Sequence, residues 1–428
     1  MSEPLTQTVI AMDLVPFRFG PGATTEVTDE LRRLGARRVL LVADPALRRH
    51  GLVDRVEAAI RDAGAEVTTF ERVHIEPTDR SLREAIEFAQ RIHPDAYVSL
   101  GGGSTIDTAK AMNLFTTYPA DLFDYLNKPI GKGLPVPGPL APHIALPTTA
   151  GTGSETTAVI ALELSERRLK TGISHRYIRP TIAIVDPLNT VTCPPMVTAF
   201  AGLDVLCHAI ESYTAKPYNV RPRPASAAER PAYIGSNPIA DLWSAQAIRW
   251  GAKYLRRAFF APLDLEARTF MAMASLTAGI GFGNAGVHIP HAMSYPIAGM
   301  VREFFPPDYD IDEPLIPHGL AVVVGAPAAL RFTAVSWPER HAEVAEMLGI
   351  DTRGMPVRAA AEAVAEALLQ LMRDLGLPSG LEELGFSEKD IPALVEGTLA
   401  QQRILVNSPR PVDERALTEI FRQAMRYW

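Results

Sequence analysis

Four side chains in this 428-residue sequence are of metal-ligand type and sit in distinctive local runs: Asp204, His208, His291 and His318. Asp204 and His208 stand four residues apart in GLDVLCHAIESY (202–213), a spacing that places both on one face of a helix. His291 lies in GVHIPHAMSYPIAG (286–299), and His318 opens an apolar helical run in PLIPHGLAVVVGAP (314–327). One carboxylate and three imidazoles suit a borderline divalent cation such as Fe²⁺ or Zn²⁺, with a position left for a substrate oxygen. His288, three residues before His291, is a rival ligand on helical spacing.

A second set of residues has the chemistry of a phosphate cradle. GGGSTIDTAKAM (101–112) follows an apolar strand-like run and opens a helix, with Ser104 as an N-cap. Gly101, Gly102 and Gly103 let the backbone approach a pyrophosphate, and free N–H groups at the helix start bind the anion. The spacing is not the common GxGxxG. PTTAGTGSETT (147–157) is a second glycine loop leaving a strand. Two such loops at strand ends predict a dinucleotide across the sheet edge. Asp44, at the end of the first long strand, is placed to accept from a ribose and to repel a 2′-phosphate, which favours NAD over NADP. Lys170 is a candidate contact to ribose or phosphate. Singly, each of these residues has an ordinary structural reading: a turn, a cap, a surface charge.

These residues must be held by elements of two textures. Up to residue 190, short β-branched runs alternate with amphipathic stretches: strands at 36–44, 66–73, 95–103, 144–149 and 180–187, helices at 53–64 and 81–92. That rhythm predicts an α/β dinucleotide-binding domain, a parallel sheet with flanking helices, over 1–190. From 191 to 428 the pattern is all-helical, with helices at 196–214, 239–259, 265–281 and 357–376, and this domain carries the metal ligands. The Pro-, Arg- and Ser-rich stretch 215–238 reads as a long structured loop or lid.

Composition excludes several functions. A net charge of −7 with no basic tract argues against a nucleic-acid partner. No apolar run approaches a bilayer span, so no membrane partner is expected. Two cysteines fit a reducing compartment, and the first residues show neither signal nor transit character, so the expected location is cytoplasmic.

In their order along the chain, FGPGAT (19–24), GGGSTIDTAKA, PTTAGTGSE, the DP pair at 186–187, GLDVLCHAIESY, HAMSYPIAG and PHG resemble the iron-containing (group III) alcohol dehydrogenase family over essentially the whole length. The resemblance implies a dehydroquinate synthase-like architecture and an oxidoreductase acting on CH–OH. It places the metal ligands on Asp204, His208, His291 and His318. It places the cofactor contacts on Asp44, Gly101 to Ser104, Asp107, Thr148, Thr149, Thr152 and Lys170. A family histidine four residues after the third ligand is Tyr295 here. Together with PDYDIDEPLIPHGL (307–320), RPAYIGSNPIADLW (230–243) and DIPALVEGTLAQQR (390–403), this resembles the branch that moves hydride between hydroxy acids and oxo acids.

That branch takes hydride from 4-hydroxybutyrate onto bound NAD and returns it to 2-oxoglutarate, giving succinic semialdehyde and D-2-hydroxyglutarate. Small hydroxy acid and oxo acid substrates, Fe²⁺ (or Zn²⁺) and a homo-oligomer, dimer or larger, are implied with it. Tyr295 or His288 is expected to relay the alkoxide proton. The substrate carboxylates call for a basic clamp, with Lys216, Arg221, Arg223 and Arg230 as the candidates. Rival readings are a dehydrogenase with freely exchanging cofactor and, more remotely, a dehydroquinate-synthase-like lyase.

Overall fold

The computed structural model describes residues 6–166 and 169–428, the side chain of residue 228 excepted. They form two compact units. One comprises residues 14–193 and 262–272; the other comprises 6–13, 194–261 and 273–428. The change of texture read at 190/191 lies three residues before Pro194, where the second long segment begins.

The first unit is built on a six-stranded sheet in which every pairing is parallel. Its spatial order is β1 (Phe17–Phe19), β8 (Ile182–Val185), β5 (His143–Pro147), β4 (Ala96–Gly101), β2 (Arg38–Ala43), β3 (Glu66–Phe70). Strand β2, RVLLVA, is apolar and buried from Val39 to Ala43 because both faces are covered. Val39, Leu41 and Ala43 pack with Val27, Leu31, Val53 and Val56 on one side. Leu40 and Val42 pack with Phe70, Ala85, Ala109 and Met112 on the other. This period of two sends alternate residues of one strand into two cores. The covering helices are α1 (Val27–Leu34), α2 (Leu52–Asp62), α3 (Asp79–Ile92), α4 (Gly103–Thr117) and the single turn α5 (Leu122–Tyr125). An antiparallel hairpin, β6 (Val159–Leu164) with β7 (Leu169–Ser174), is an addition that the sequence pattern did not reveal.

The second unit is mostly helical, in line with expectation. Its helices are α6 (Pro195–Thr214), α7 (Pro238–Phe260), α8 (Leu265–Ala285, counted here from residue 273), α9 (Ile289–Gly299), α10 (His318–Val323), α11 (Ala326–Ala334), α12 (Pro338–Met347), α13 (Val357–Asp374), α14 (Ile391–Leu399), α15 (Gln402–Leu405) and α16 (Glu414–Ala424). Helix α6 is buried on nearly all sides from Thr198 onward, so it shows no polar stripe. Glycines admit its neighbours. A Cβ at Gly251 would meet Leu206 Cδ2 at 2.8 Å, and one at Gly319 would meet Asp204 Cβ at 3.1 Å. That second approach sets the start of α10 against α6. Among the described residues no single helix is long and apolar enough to cross a membrane.

Candidate metal centre

Helix α6 presents Asp204 and His208 one turn apart, α9 presents His291, and α10 begins at His318. One ligand atom from each of the four lies within 4.8 Å of the others. The nearest approaches are His291 Nε2 to Asp204 Oδ1 at 3.5 Å, His208 Nδ1 to Asp204 Oδ2 at 3.6 Å and His318 Nε2 to Asp204 Oδ1 at 3.8 Å. These are too long for good hydrogen bonds. Asp204 Oδ1, His208 Nδ1 and His291 Nε2 are buried with no hydrogen-bond partner. Buried polar atoms are generally paired, so three orphans that converge with a fourth ligand-type side chain fit a divalent cation. The His318 side chain, 30 % exposed, leaves the open side.

The surrounding groups hold these ligands in place. Glu211 Oε1 accepts from His291 Nδ1 at 2.5 Å, which keeps the proton on that nitrogen and frees Nε2 for an ion. Its Oε2 accepts the backbone N–H groups of His288 (2.7 Å) and His291 (3.4 Å) at the start of α9, a favourable place for negative charge. Phe282 stacks on His208, ring centroids 3.9 Å apart and 9° from parallel. Burial opposes ionisation of Asp204, but the imidazoles of His208, His318 and His291 outweigh it and hold the carboxyl below its ordinary range. Burial likewise disfavours the imidazolium of His291, yet the Glu211 and Asp204 carboxylates raise it to about 10. Burial keeps His208 well below its ordinary value.

Glu211 escaped sequence reasoning. The available signal was its position, seven residues after Asp204 and three after His208, on the same helix face. His288 is not among the four clustered residues. Its Nε2 pairs with Thr214 Oγ1 at 3.1 Å, and burial lowers it to about 4. Tyr295, one turn past His291, accepts a hydrogen bond from Arg403 Nη2 at 2.8 Å. Of the basic-clamp candidates, Arg221 donates to Asn407 Oδ1 (2.5 Å) and the Tyr233 carbonyl (3.3 Å), Arg223 is exposed, and the Lys216 backbone N–H donates to Asn407 O. Arg230 is half-buried with its Nε unpartnered.

The glycine cradle lies in the α/β unit. Strand β4 ends at Gly101, and α4 starts at Gly103 behind an N-cap, Gly102, that has no side-chain capping bond. A Cβ at Gly102 would stand 3.3 Å from Thr149 Oγ1, and one at Gly103 would stand 2.7 Å from Thr152 Oγ1. The two loops therefore approach so closely that position 103 admits no side chain without a shift. Thr148 N–H donates to Gly101 O, joining the loops at the strand ends. Several candidate side chains have protein partners. Asp44 caps the following turn through Ala46 N–H at 2.9 Å, and burial raises its carboxyl. Ser104 Oγ accepts from Glu76 N–H, Asp107 takes Ala161 N–H at 2.8 Å and Lys110 at 3.3 Å, and Lys170 pairs with Glu76 at 2.7 Å.

The sequence matches the family described as iron-containing alcohol dehydrogenase over residues 16–187, and the C-terminal part of that family over 227–425. It is 48 % identical over 429 aligned residues to the mitochondrial hydroxyacid-oxoacid transhydrogenase of Bos taurus, covering all of this chain and 92 % of that one. Among solved structures, a 1,3-propanediol oxidoreductase superposes with a TM-score of 0.86 at 33 % identity, covering 98 % of this chain and 100 % of the other. The sulfoacetaldehyde reductase of Bifidobacterium kashiwanohense, in complex with NAD+, gives 0.80 at 28 %, covering 98 % and 99 %. The expectation of a cytoplasmic location is corrected by the bovine relative, which is named as mitochondrial. A low cysteine count reports a reducing environment, and such an environment does not single out one compartment.

Proposed function

We propose that this chain, which belongs to the iron-containing alcohol dehydrogenase family, works as a hydroxyacid–oxoacid transhydrogenase. The observation that carries the reading is the 48 % identity, over all of this chain and 92 % of the relative, with an enzyme bearing that name. The proposed reaction moves hydride from 4-hydroxybutyrate to NAD⁺ and then from NADH to 2-oxoglutarate. Its products are succinic semialdehyde and 2-hydroxyglutarate.

Asp204, His208, His291 and His318 would hold the divalent ion, Fe²⁺ or Zn²⁺, and the 101–104 turn with Thr148, Thr149 and Thr152 would cradle the NAD pyrophosphate. When bound, the ion supplies Lewis acidity toward the substrate oxygen and the nicotinamide accepts and returns hydride. Glu211 keeps Nε2 of His291 aimed inward, and Phe282 prevents the His208 ring from turning. Asp44 would receive the adenosine ribose, with Asp107 and Lys170 bracing the walls of the cradle. Tyr295 is the better proton carrier of the two candidates. Its oxygen accepts from Arg403 and so retains its own O–H to donate, whereas His288 is wholly buried and pinned to Thr214.

The test incubates metal-loaded protein with 4-hydroxybutyrate and 2-oxoglutarate, without added NAD, and follows products by mass spectrometry. Equal amounts of both products over many turnovers support transhydrogenation through retained cofactor. Product formation only with free NAD⁺, with NADH accumulating when 2-oxoglutarate is withheld, overturns it in favour of a conventional dehydrogenase.

A further inference from the structure

Arg403 closes the run DIPALVEGTLAQQR, whose role the metal and the cradle leave unexplained. It sits in the short helix α15, half-buried, and its side-chain hydrogen bonds go to two phenols, those of Tyr295 and Tyr233. No carboxylate of the described residues forms an ion pair with it. Arg221 is a second half-buried guanidinium without an acid: it holds the Tyr233 carbonyl and Asn407, and its Nε is unpartnered. Asn407, two residues beyond α15, in turn donates to Val287 O just ahead of α9. Two guanidinium groups thus bracket Tyr233, and Tyr295 links Arg403 to the helix that carries His291. Gln401, at the head of α15, adds a buried amide nitrogen with no acceptor. Positive charge withdrawn from water without a counter-charge is costly, and an anionic ligand removes the cost.

We propose that Arg403 is the specificity residue that grips the substrate's far carboxylate. Arg221 acts behind it as a positioning residue, tying Tyr233 to Asn407. The inference rests on the proposed function and identifies the substrate class that it implies. In 4-hydroxybutyrate the carboxyl carbon lies three bonds from the carbon that loses hydride. In 2-oxoglutarate the distal carboxyl carbon lies three bonds from the carbon that gains it. One clamp therefore serves both half-reactions with the reacting carbon in one place. Tyr295 and Tyr233 take two of the five guanidinium N–H donors and leave three for a carboxylate. Arg221, with its Nε 2.9 Å from where a Cβ on Gly235 would lie, is packed under its own loop and is less free to meet a ligand.

The decisive comparison uses 2-oxoglutarate and 2-oxopentanoate, which share the keto acid and chain length but differ in the distal carboxylate. Arg403→Gln should shrink the wild-type preference in kcat/KM for 2-oxoglutarate between about tenfold and a hundredfold, chiefly through KM. Arg403→Lys should recover part of it, because charge returns without the fork. Glutarate, an unreactive dicarboxylate, should bind the wild-type holoenzyme and be lost from Arg403→Gln by titration calorimetry. An unchanged preference and unchanged glutarate binding overturn the clamp, as does an equal loss on both oxo acids, which marks a structural role. A wild-type protein that does not turn over 4-hydroxybutyrate with 2-oxoglutarate overturns the function instead, and glutarate binding then reads the clamp by itself.

Discussion

In the helical unit the converging atoms of Asp204, His208 and His291 are left without hydrogen-bond partners, while in the α/β unit Asp44, Ser104, Asp107 and Lys170 are each satisfied by a neighbouring group. Under the proposed function the difference follows from what each site would hold. An ion is bound by side-chain lone pairs, which must be kept free at a cost the ion repays when it binds. A pyrophosphate is bound by backbone N–H groups at a helix start, so nearby side chains can be spent on shaping the loops. Orphaned atoms are the signature of the first kind of site, and forbidden Cβ positions are the signature of the second.

The largest effect should come from removing the central ligand. Asp204→Ala is expected to abolish both bound metal, read by elemental analysis, and hydride transfer; a variant retaining either removes Asp204 from the ligand set. Glu211→Gln keeps the shape but weakens the hold on His291, and should reduce Zn²⁺ affinity about tenfold to a hundredfold in a competition titration. The pH dependence has a definite sign. His291 is raised to about 10, so at neutral pH the ion must displace its proton, and affinity should rise about tenfold per pH unit from pH 7 to 9. A flat profile would mean that no proton is released.

The cradle should respond differently. Gly103→Ala forces a Cβ toward Thr152 and should weaken NAD binding by about tenfold, the equivalent of about 1.4 kcal/mol of overpacking, with metal content unchanged. Asp44→Asn retains the cap on Ala46, so only a few-fold loss of preference for NAD over NADP is expected, measured by the ratio of the two dissociation constants. Equal effects of the Asp44 and Gly103 substitutions would show that side chains, and not only backbone, carry this site.

The long buried strands are legible as short β-branched apolar runs and the long helices as longer amphipathic or apolar stretches. β1 is not, since three residues cannot display a period, and the β6–β7 hairpin is missed because its alternation is short and only half buried. The four residues that cluster are legible because their types are scarce and each sits in a distinctive local run. Glu211 and Arg403 are not. Glu211 meets its partner His291 across 80 residues and Arg403 meets Tyr295 across 108, so packing alone creates the relation. In the sequence Arg403 stands at the end of DIPALVEGTLAQQR with no local partner to mark its chemistry.

Glu211 also bears on the charge that the proposed metal site would accept. Asp204 and Glu211 are two buried carboxylates beside three clustered histidines, of which only His318 reaches the open side, and the histidines can be neutral donors. A divalent ion balances those charges. A trivalent one would carry an excess positive charge over this donor set, so oxidation of bound iron should loosen it, and an oxidised preparation should lose its metal before it loses its fold.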